Sequence, residues 1–408
     1  MNSCPDISLI WEELAGDGKR IVYMVLDGAG GLRNASTGKT ALELADTPNI
    51  DKLVRTSACG QLELVGPGIT PGSGPGHLAL FGYDPLQFRL GRGVLAALGI
   101  DFGLRDGDVA ARINFATIDK NGQITDRRAG RISSEINRKL CNKLRSAVRL
   151  DFDGEYFLET VAEHRAVLVL RGENLAADIQ DTDPQTTGVP PQEPTPKSDA
   201  SRRTASLLRS FLAQAHELLA DDSPANALLM RGFDRYAPFP GLRERFALNG
   251  LCIASYPMYR GLSRLLGMEL APRPKDLPDT FSLFNELYKQ SSHDFYFLHV
   301  KGTDKSGEDG DFASKVAVIE EVDSLLPALI ALKPDVLVLT ADHSTPASMA
   351  AHSWHPVPVL IHAATARADD ITHFDEYSCR GGGLGLRPGT HIMGLALAHA
   401  GRLRKFGA

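Results

Sequence analysis

Asp27, Asp304, Asp342 and His343 follow short apolar runs, in IVYMVLDG at 21–28, FYFLHVKGTD at 295–304 and DVLVLTADHS at 335–344. Carboxylates and imidazoles are ligands for hard and borderline divalent cations, and two such ions ~4 Å apart can clamp the attacking and leaving oxygens of a phosphoryl transfer. A single acidic residue at a strand end reads equally well as a turn or a helix cap. Four in the same setting, with the histidine-rich AHSWHP at 351–356, favour a metal centre. Both His352 and His355 suit a ligand role, and spacing does not choose between them.

ITPGSGPGHLALFGYDP at 69–85 adds a hydroxyl. Ser73 sits among glycines that let the backbone come close to a phosphate, and the segment continues into an apolar, helix-like stretch. Taken alone, Gly-Ser-Gly is more often a plain turn. It is not the G-x-S-x-G elbow of α/β-hydrolases, since Pro71 stands at the first glycine. Coordination to a metal lowers the pKa of an alcohol, so a serine here would not require a triad.

A third group is cationic. DRRAGR supplies Asp126, Arg127, Arg128 and Arg131, and HRAV supplies His164 and Arg165. Guanidinium forks bind carboxylate and phosphate bidentately, which suits a small anionic substrate, although each arginine singly could belong to a solvated basic face. Two nucleotide-like motifs fail. STGKT at 36–40 has Arg33 in place of the first Walker glycine, and the glycines after Asp27 miss G-x-G-x-x-G at the same residue.

The elements that would position these groups alternate. The apolar runs, with PVPVLI at 356–361, lack polar alternation and suit strands buried on both faces. Helices are predicted over 41–56 and 311–332, giving an α/β pattern whose ligands gather beyond the carboxyl ends of parallel strands. The middle differs: 114–132 reads as strand, Asn121–Gly122 turn and strand, 164–172 as a further strand, and the proline-rich 181–196 as a loop. Residues 112–250 therefore read as an inserted α+β domain, between core segments 1–111 and 251–408.

With 408 residues, two domains are expected. A formal charge of −6, from 44 basic and 50 acidic residues, argues against a general nucleic-acid binder. The five cysteines, Cys4, Cys59, Cys141, Cys252 and Cys379, are odd in number and form no C-x-x-C pair, which fits a reducing cytoplasm. No secretory leader and no ~18-residue apolar span is read, so no membrane partner is expected.

The chain resembles the archaeal-type cofactor-independent phosphoglycerate mutase family of the alkaline phosphatase superfamily. LDGAG, KTALELADTPNIDKL, HLALFGYDP, GRGVLAALG, GDVAARINFATID, DRRAGRI, HRAVLVLRGE, DTDP, KGTD, TADHSTP and AGRLRKFGA occur in the family's order. The resemblance implies an alkaline-phosphatase-like doubly wound, mostly parallel sheet with helices on both faces, and an inserted, smaller substrate-binding domain. It implies interconversion of 3-phosphoglycerate and 2-phosphoglycerate through a phosphoserine at Ser73, without a bisphosphoglycerate primer. Asp27, Ser73, Asp342 and His343 would hold one divalent ion, with Asp304 and His352 holding the other. Asp126 would be the acid/base group. Arg127, Arg128, Arg131, His164 and Arg165 would grip the phosphorylated hydroxy acid, and Lys301 or Arg260 would lie beside the phosphoryl group. Glu308 stands where the family has a histidine ligand, which tilts the expected metal toward manganese or magnesium over zinc or cobalt. It also leaves open a metal-dependent phosphomonoesterase or phosphotransferase of altered specificity. Gly74 and His355 depart from the family pattern as well.

Overall fold

A computed structural model describes residues 7–407 and divides the chain into two compact units. The first contains the described residues up to Arg89, Pro240–Tyr256 and those from Leu266 onward. Its sheet has eight strands in the order Gly385–Pro388, Ala58–Glu63, Val357–Ala363, Val336–Thr340, Ile21–Leu26, Phe295–Val300, Gly250–Ile253 and Glu269–Leu270. Val357–Ala363 is antiparallel to both of its neighbours, and every other pairing is parallel. The fold is thus the expected mostly parallel α/β sheet. Ile21–Leu26, Phe295–Val300 and Val336–Thr340 are buried along their whole length, because branched and aromatic side chains project from both faces into covering layers.

Register is what gathers the chemistry. Leu26 pairs with Val300, and Val25 with Thr340, so three central strands end level at one edge of the sheet. Asp27, Lys301 and Asp342 leave the sheet there.

The helix predicted over 41–56 is two helices, Ala41–Leu44 and Pro48–Val54. Thr40 and Glu43 form a capping box that starts the first. Pro48 explains the break: it has no N–H to continue the ladder and forces Thr47 out of the helical region, to φ −126° and ψ 58°. The long helix Phe312–Ile330 begins at Asp311, whose side chain accepts from Ser314 N.

Arg402 closes the first unit. Only 2% exposed, its guanidinium donates to the carbonyls of Gly16, Gly18, Lys19 and Ala247 and to the Asp294 carboxylate at 2.6 Å. Arg402→Ala should lower unfolding stability by about 3–5 kcal/mol, because it strands these acceptors in a buried setting. Urea denaturation checks this, and a loss under about 1 kcal/mol would contradict it.

The second unit comprises Leu90–Phe239 and Pro257–Leu265. Its antiparallel sheet is formed by Ile124–Asp126, Val109–Ile118, Arg165–Gly172 and Gly154–Ala162, with Ala227–Arg235 also paired to Val109–Ile118. Helices Ser134–Ala147 and Arg202–Leu219 contribute Leu140, Leu144, Leu208 and Phe211 to the main core. Helix Arg92–Gly99 covers a second cluster, with Ala110, Val167 and Val169. The unit starts upstream of 112, the boundary read from sequence, because this helix packs through glycines. A Cβ on Gly93 would lie 2.3 Å from Ala110 O, and one on Gly99 would lie 2.2 Å from Pro257 O. At the other end, Gly250–Ile253 joins the first unit's sheet, so the inserted unit closes at Phe239 before Pro257–Leu265 returns to it.

Cys59, Cys141, Cys252 and Cys379 are buried, and Cys4 lies outside the described residues. Among the described residues no helix is long and apolar enough to cross a membrane.

Candidate active site

In the first unit, each side chain at the sheet edge is fixed by local backbone. Asp27 follows its strand directly and is completely buried. The next residue, Gly28, has φ +62° and donates to Asp342 Oδ1 at 3.0 Å. A Cβ there would meet Thr345 Oγ1 at 2.4 Å and Asp304 Oδ1 at 2.8 Å, so only glycine lets these segments meet. Asp304 does not end its strand. It lies on helix Gly302–Glu308, which starts just past Val300, and is turned back to the same edge.

Ser73 opens helix Ser73–Leu80, and its Oγ lies 3.1 Å from His343 Nε2. His343 Nε2 is also 3.2 Å from Asp27 Oδ1 and 3.2 Å from Asp342 Oδ2. Thr345 Oγ1 lies 2.9 Å from His343 Nδ1 and donates to Asp304 Oδ1 at 2.8 Å. The His352 ring stacks on His343 with centroids 3.7 Å apart, its Nδ1 lying 3.0 Å from Pro71 O and its Nε2 3.4 Å from Asp304 Oδ1. Two groups of potential ligands result, Asp27/Asp342/His343 and Asp304/His343/His352, each with its ligand atoms within 4.8 Å of one another. His343 belongs to both. Glu308 is half-exposed and stands 3.8 Å from His352 Nε2. His355 enters neither group: its Nδ1 is 3.0 Å from Ser353 Oγ, and its ring stacks on Trp354.

Lys301 Nζ donates to Asp27 Oδ2 at 2.9 Å and also to Asp304. Burial works against both charges of this pair, yet the attraction prevails. The Lys301 pKa is raised, and Asp27 is held well below the usual carboxylate range by Lys301, His299 and His343. Burial likewise opposes ionisation of Asp304, but His352 and Lys301 bring it down to about 2. His352, depressed by burial, is lifted to about 8 by the same Asp304.

The donor set fits divalent cations. It combines buried anionic oxygens with imidazole nitrogens at ligand spacing. The buried Asp342 Oδ2 lies 3.1 Å from His77 Nδ1 and 3.2 Å from His343 Nε2, an anionic oxygen among imidazole nitrogens of the kind that divalent cations take as ligands.

In the second unit, the Asp126 carboxylate accepts from Arg128 N at 2.8 Å and Gly130 N at 2.6 Å. The following Ala129, Gly130 and Arg131 all have positive φ. That turn presents Arg128 and Arg131, while Arg127 forms a bidentate pair with Asp183 at 2.9 and 2.7 Å. His164 is buried, and burial together with Arg165, Arg128, Arg112 and Arg131 pushes its pKa down to about 3, so it is a neutral imidazole amid cations. Arg165 pairs with Glu163 at 3.4 Å. Arg260 is buried on helix Pro257–Leu265 of the same unit.

Sequence reasoning missed Asp183, Arg112 and Thr345 as members of these clusters. Asp183 was within reach, since it sits in the DTDP segment; Arg112 lay mid-strand with no local signal.

A mostly parallel sheet that presents a serine, carboxylates and imidazoles beyond its carboxyl ends defines an α/β enzyme. A family model described as 2,3-bisphosphoglycerate-independent phosphoglycerate mutase matches residues 55–226, and a Thermus thermophilus relative named "Probable 2,3-bisphosphoglycerate-independent phosphoglycerate mutase" is 47% identical over 95% of this chain and 96% of its own. The chain belongs to the 2,3-bisphosphoglycerate-independent phosphoglycerate mutase family. An Aquifex aeolicus relative of the same name is 44% identical, over 98% of this chain and all of its own. Among solved structures, a Pyrococcus horikoshii protein superposes with a TM-score of 0.81 at 27% identity, covering 96% of this chain and 100% of its own. The cofactor-independent phosphoglycerate mutase of Thermoplasma acidophilum superposes with a TM-score of 0.70 at 29% identity, over 94% of this chain and 100% of its own.

Proposed function

We propose that this enzyme interconverts 3-phosphoglycerate and 2-phosphoglycerate by passing the phosphoryl group through Ser73. The observation that carries this reading is the placement of Ser73 Oγ at a helix start, 3.1 Å from His343 Nε2 and beside Asp27 and Asp342. Divalent cations, manganese or magnesium before zinc or cobalt, would supply Lewis acidity there, with Asp27, Asp342, His343 and Ser73 holding one, Asp304, His352 and Glu308 the other, and His343 within reach of both.

In the forward step the Ser73 hydroxyl releases its proton to solvent, Oγ attacks phosphorus, the Ser73 O–P bond forms, and the P–O bond to glycerate breaks. The released alkoxide takes a proton, for which Asp126 is the assigned donor. The neighbouring hydroxyl of the same glycerate then returns a proton to Asp126 and attacks the phosphorus of the phosphoserine; the P–O bond to Ser73 breaks, and the Ser73 oxygen takes a proton back from solvent. No second phosphorylated molecule is consumed. Lys301 neutralises carboxylate charge beside the phosphoryl position, and the start of helix Ser73–Leu80 favours an anion. Arg127, Arg128, Arg131, Arg165 and Arg260, with neutral His164, supply forks and a donor for the substrate's anionic groups. Asp183 keeps the Arg127 fork oriented.

An enolase-coupled assay with manganese tests the reading, run beside an assay for free phosphate. Product without phosphate release is expected. Phosphate release without 2-phosphoglycerate would replace the mutase with a phosphomonoesterase. Chelation should bring turnover to background, and added manganese should restore it. Full activity in the metal-depleted protein would remove the metal centre.

A further inference from the structure

The segments that carry Asp27 and His343 are tied together by backbone: Thr345 N donates to Gly28 O at 3.2 Å and Gly30 O at 2.9 Å. Into this junction projects Lys315, from the first turns of helix Phe312–Ile330, with only 1% of its surface exposed. Its Nζ donates to Gly28 O at 2.7 Å, Gly30 O at 3.1 Å and Thr345 O at 2.7 Å. Those three bonds use every donor that an ammonium has. Gly28 is adjacent to Asp27, and Thr345 holds both His343 and Asp304 through its hydroxyl. Glu376 secures the outer side of the same segment, accepting from Gly31 N at 2.6 Å and Thr40 Oγ1 at 2.7 Å.

Burying an ammonium costs several kcal/mol before its partners offset it, so packing alone would favour an aliphatic side chain here. The three carbonyls are therefore the clue to its role. We propose that Lys315 is a positioning residue of the metal centre, fastening the Asp27–Gly30 segment to the Asp342–Thr345 segment so that their ligands are spaced before a cation arrives. The proposal rests on the metal-centre reading of Asp27, Asp342, His343, Asp304 and His352. Lys315 acts on backbone carbonyls and is not assigned any contact with substrate.

The test is calorimetric titration of the metal-depleted full chain with manganese alone, for the wild type, Lys315→Met and Glu376→Gln, with folding followed by circular dichroism. Lys315→Met should bind manganese about 10- to 100-fold more weakly, the range for losing support behind metal ligands. Its kcat should return toward wild type at saturating manganese, which separates a displaced ligand set from a general packing lesion. A folded Lys315→Met with manganese affinity within twofold of wild type would overturn the proposal while leaving the centre intact. Should Lys315→Met not fold, Glu376→Gln carries the decision: weakening of about 3- to 10-fold supports the clamp, and unchanged affinity overturns it. A wild type that takes up no manganese would remove the centre itself, and the proposal with it.

Discussion

Ser73→Ala should lower kcat by about four to six orders of magnitude, the scale on which nucleophile removal acts in covalent catalysis. Without Oγ the phosphoryl group has no acceptor within the protein, and the remaining carboxylates and imidazoles would only hold the cations. Ground-state binding should therefore survive, with substrate Kd near wild type and manganese binding weakened only at the ion that Ser73 would help to hold. Mass spectrometry of enzyme quenched during turnover should find one phosphoryl group on the peptide containing Ser73, and none in the variant. Residual turnover within tenfold of wild type would mean that another atom accepts the group.

Gly76→Ala tests the same site through the backbone. A Cβ at Gly76 would fall 2.2 Å from the Asp342 carbonyl oxygen and 3.2 Å from its Cβ. Main chain cannot rotate away as a side-chain tip can, so helix Ser73–Leu80 must back off from the strand end. A shift of about 1 Å in a reacting atom costs roughly 10²-fold in rate, and overpacking of this kind costs about 1–3 kcal/mol of stability. The variant should be folded, less stable and at least about 100-fold slower, with kcat falling more than KM rises. Wild-type kcat in a folded Gly76→Ala would show that Ser73 need not sit where the helix now holds it.

The sheet and its edge were legible because their signals are local. An apolar run without alternation, closed by an acidic residue, reads directly as a doubly covered strand ending at a site, and Asp27 and Asp342 lie where such runs end. Asp304 shows the limit of that logic, since the chain first turns through Lys301 and reaches the edge from a helix. Spacing left His352 and His355 open and the resemblance favoured His352, which is the one that falls in a ligand group, whereas the membership of His343 in both groups had no signal in the sequence. Lys315 gave no signal, because a lysine on an amphipathic helix ordinarily faces water. The start of the second unit at Leu90 was hidden for a related reason. The close approach of helix Arg92–Gly99 depends on the partners its glycines touch, and these lie up to 158 residues away in the case of Pro257. Pro48 was a readable break that the prediction of one helix over 41–56 passed over.

The strand order also has a consequence for biosynthesis. Ile21–Leu26 emerges early from the ribosome, but both of its neighbours, Phe295–Val300 and Val336–Thr340, emerge more than 260 residues later. At ~5–20 residues per second, this most apolar strand waits roughly 15–60 s for a pairing partner. The second unit, whose own strands lie closer in sequence, can assemble during that interval. Truncated or stalled chains that end before Phe295 should thus expose an unsatisfied β-edge, making them natural clients for chaperones that shield such edges.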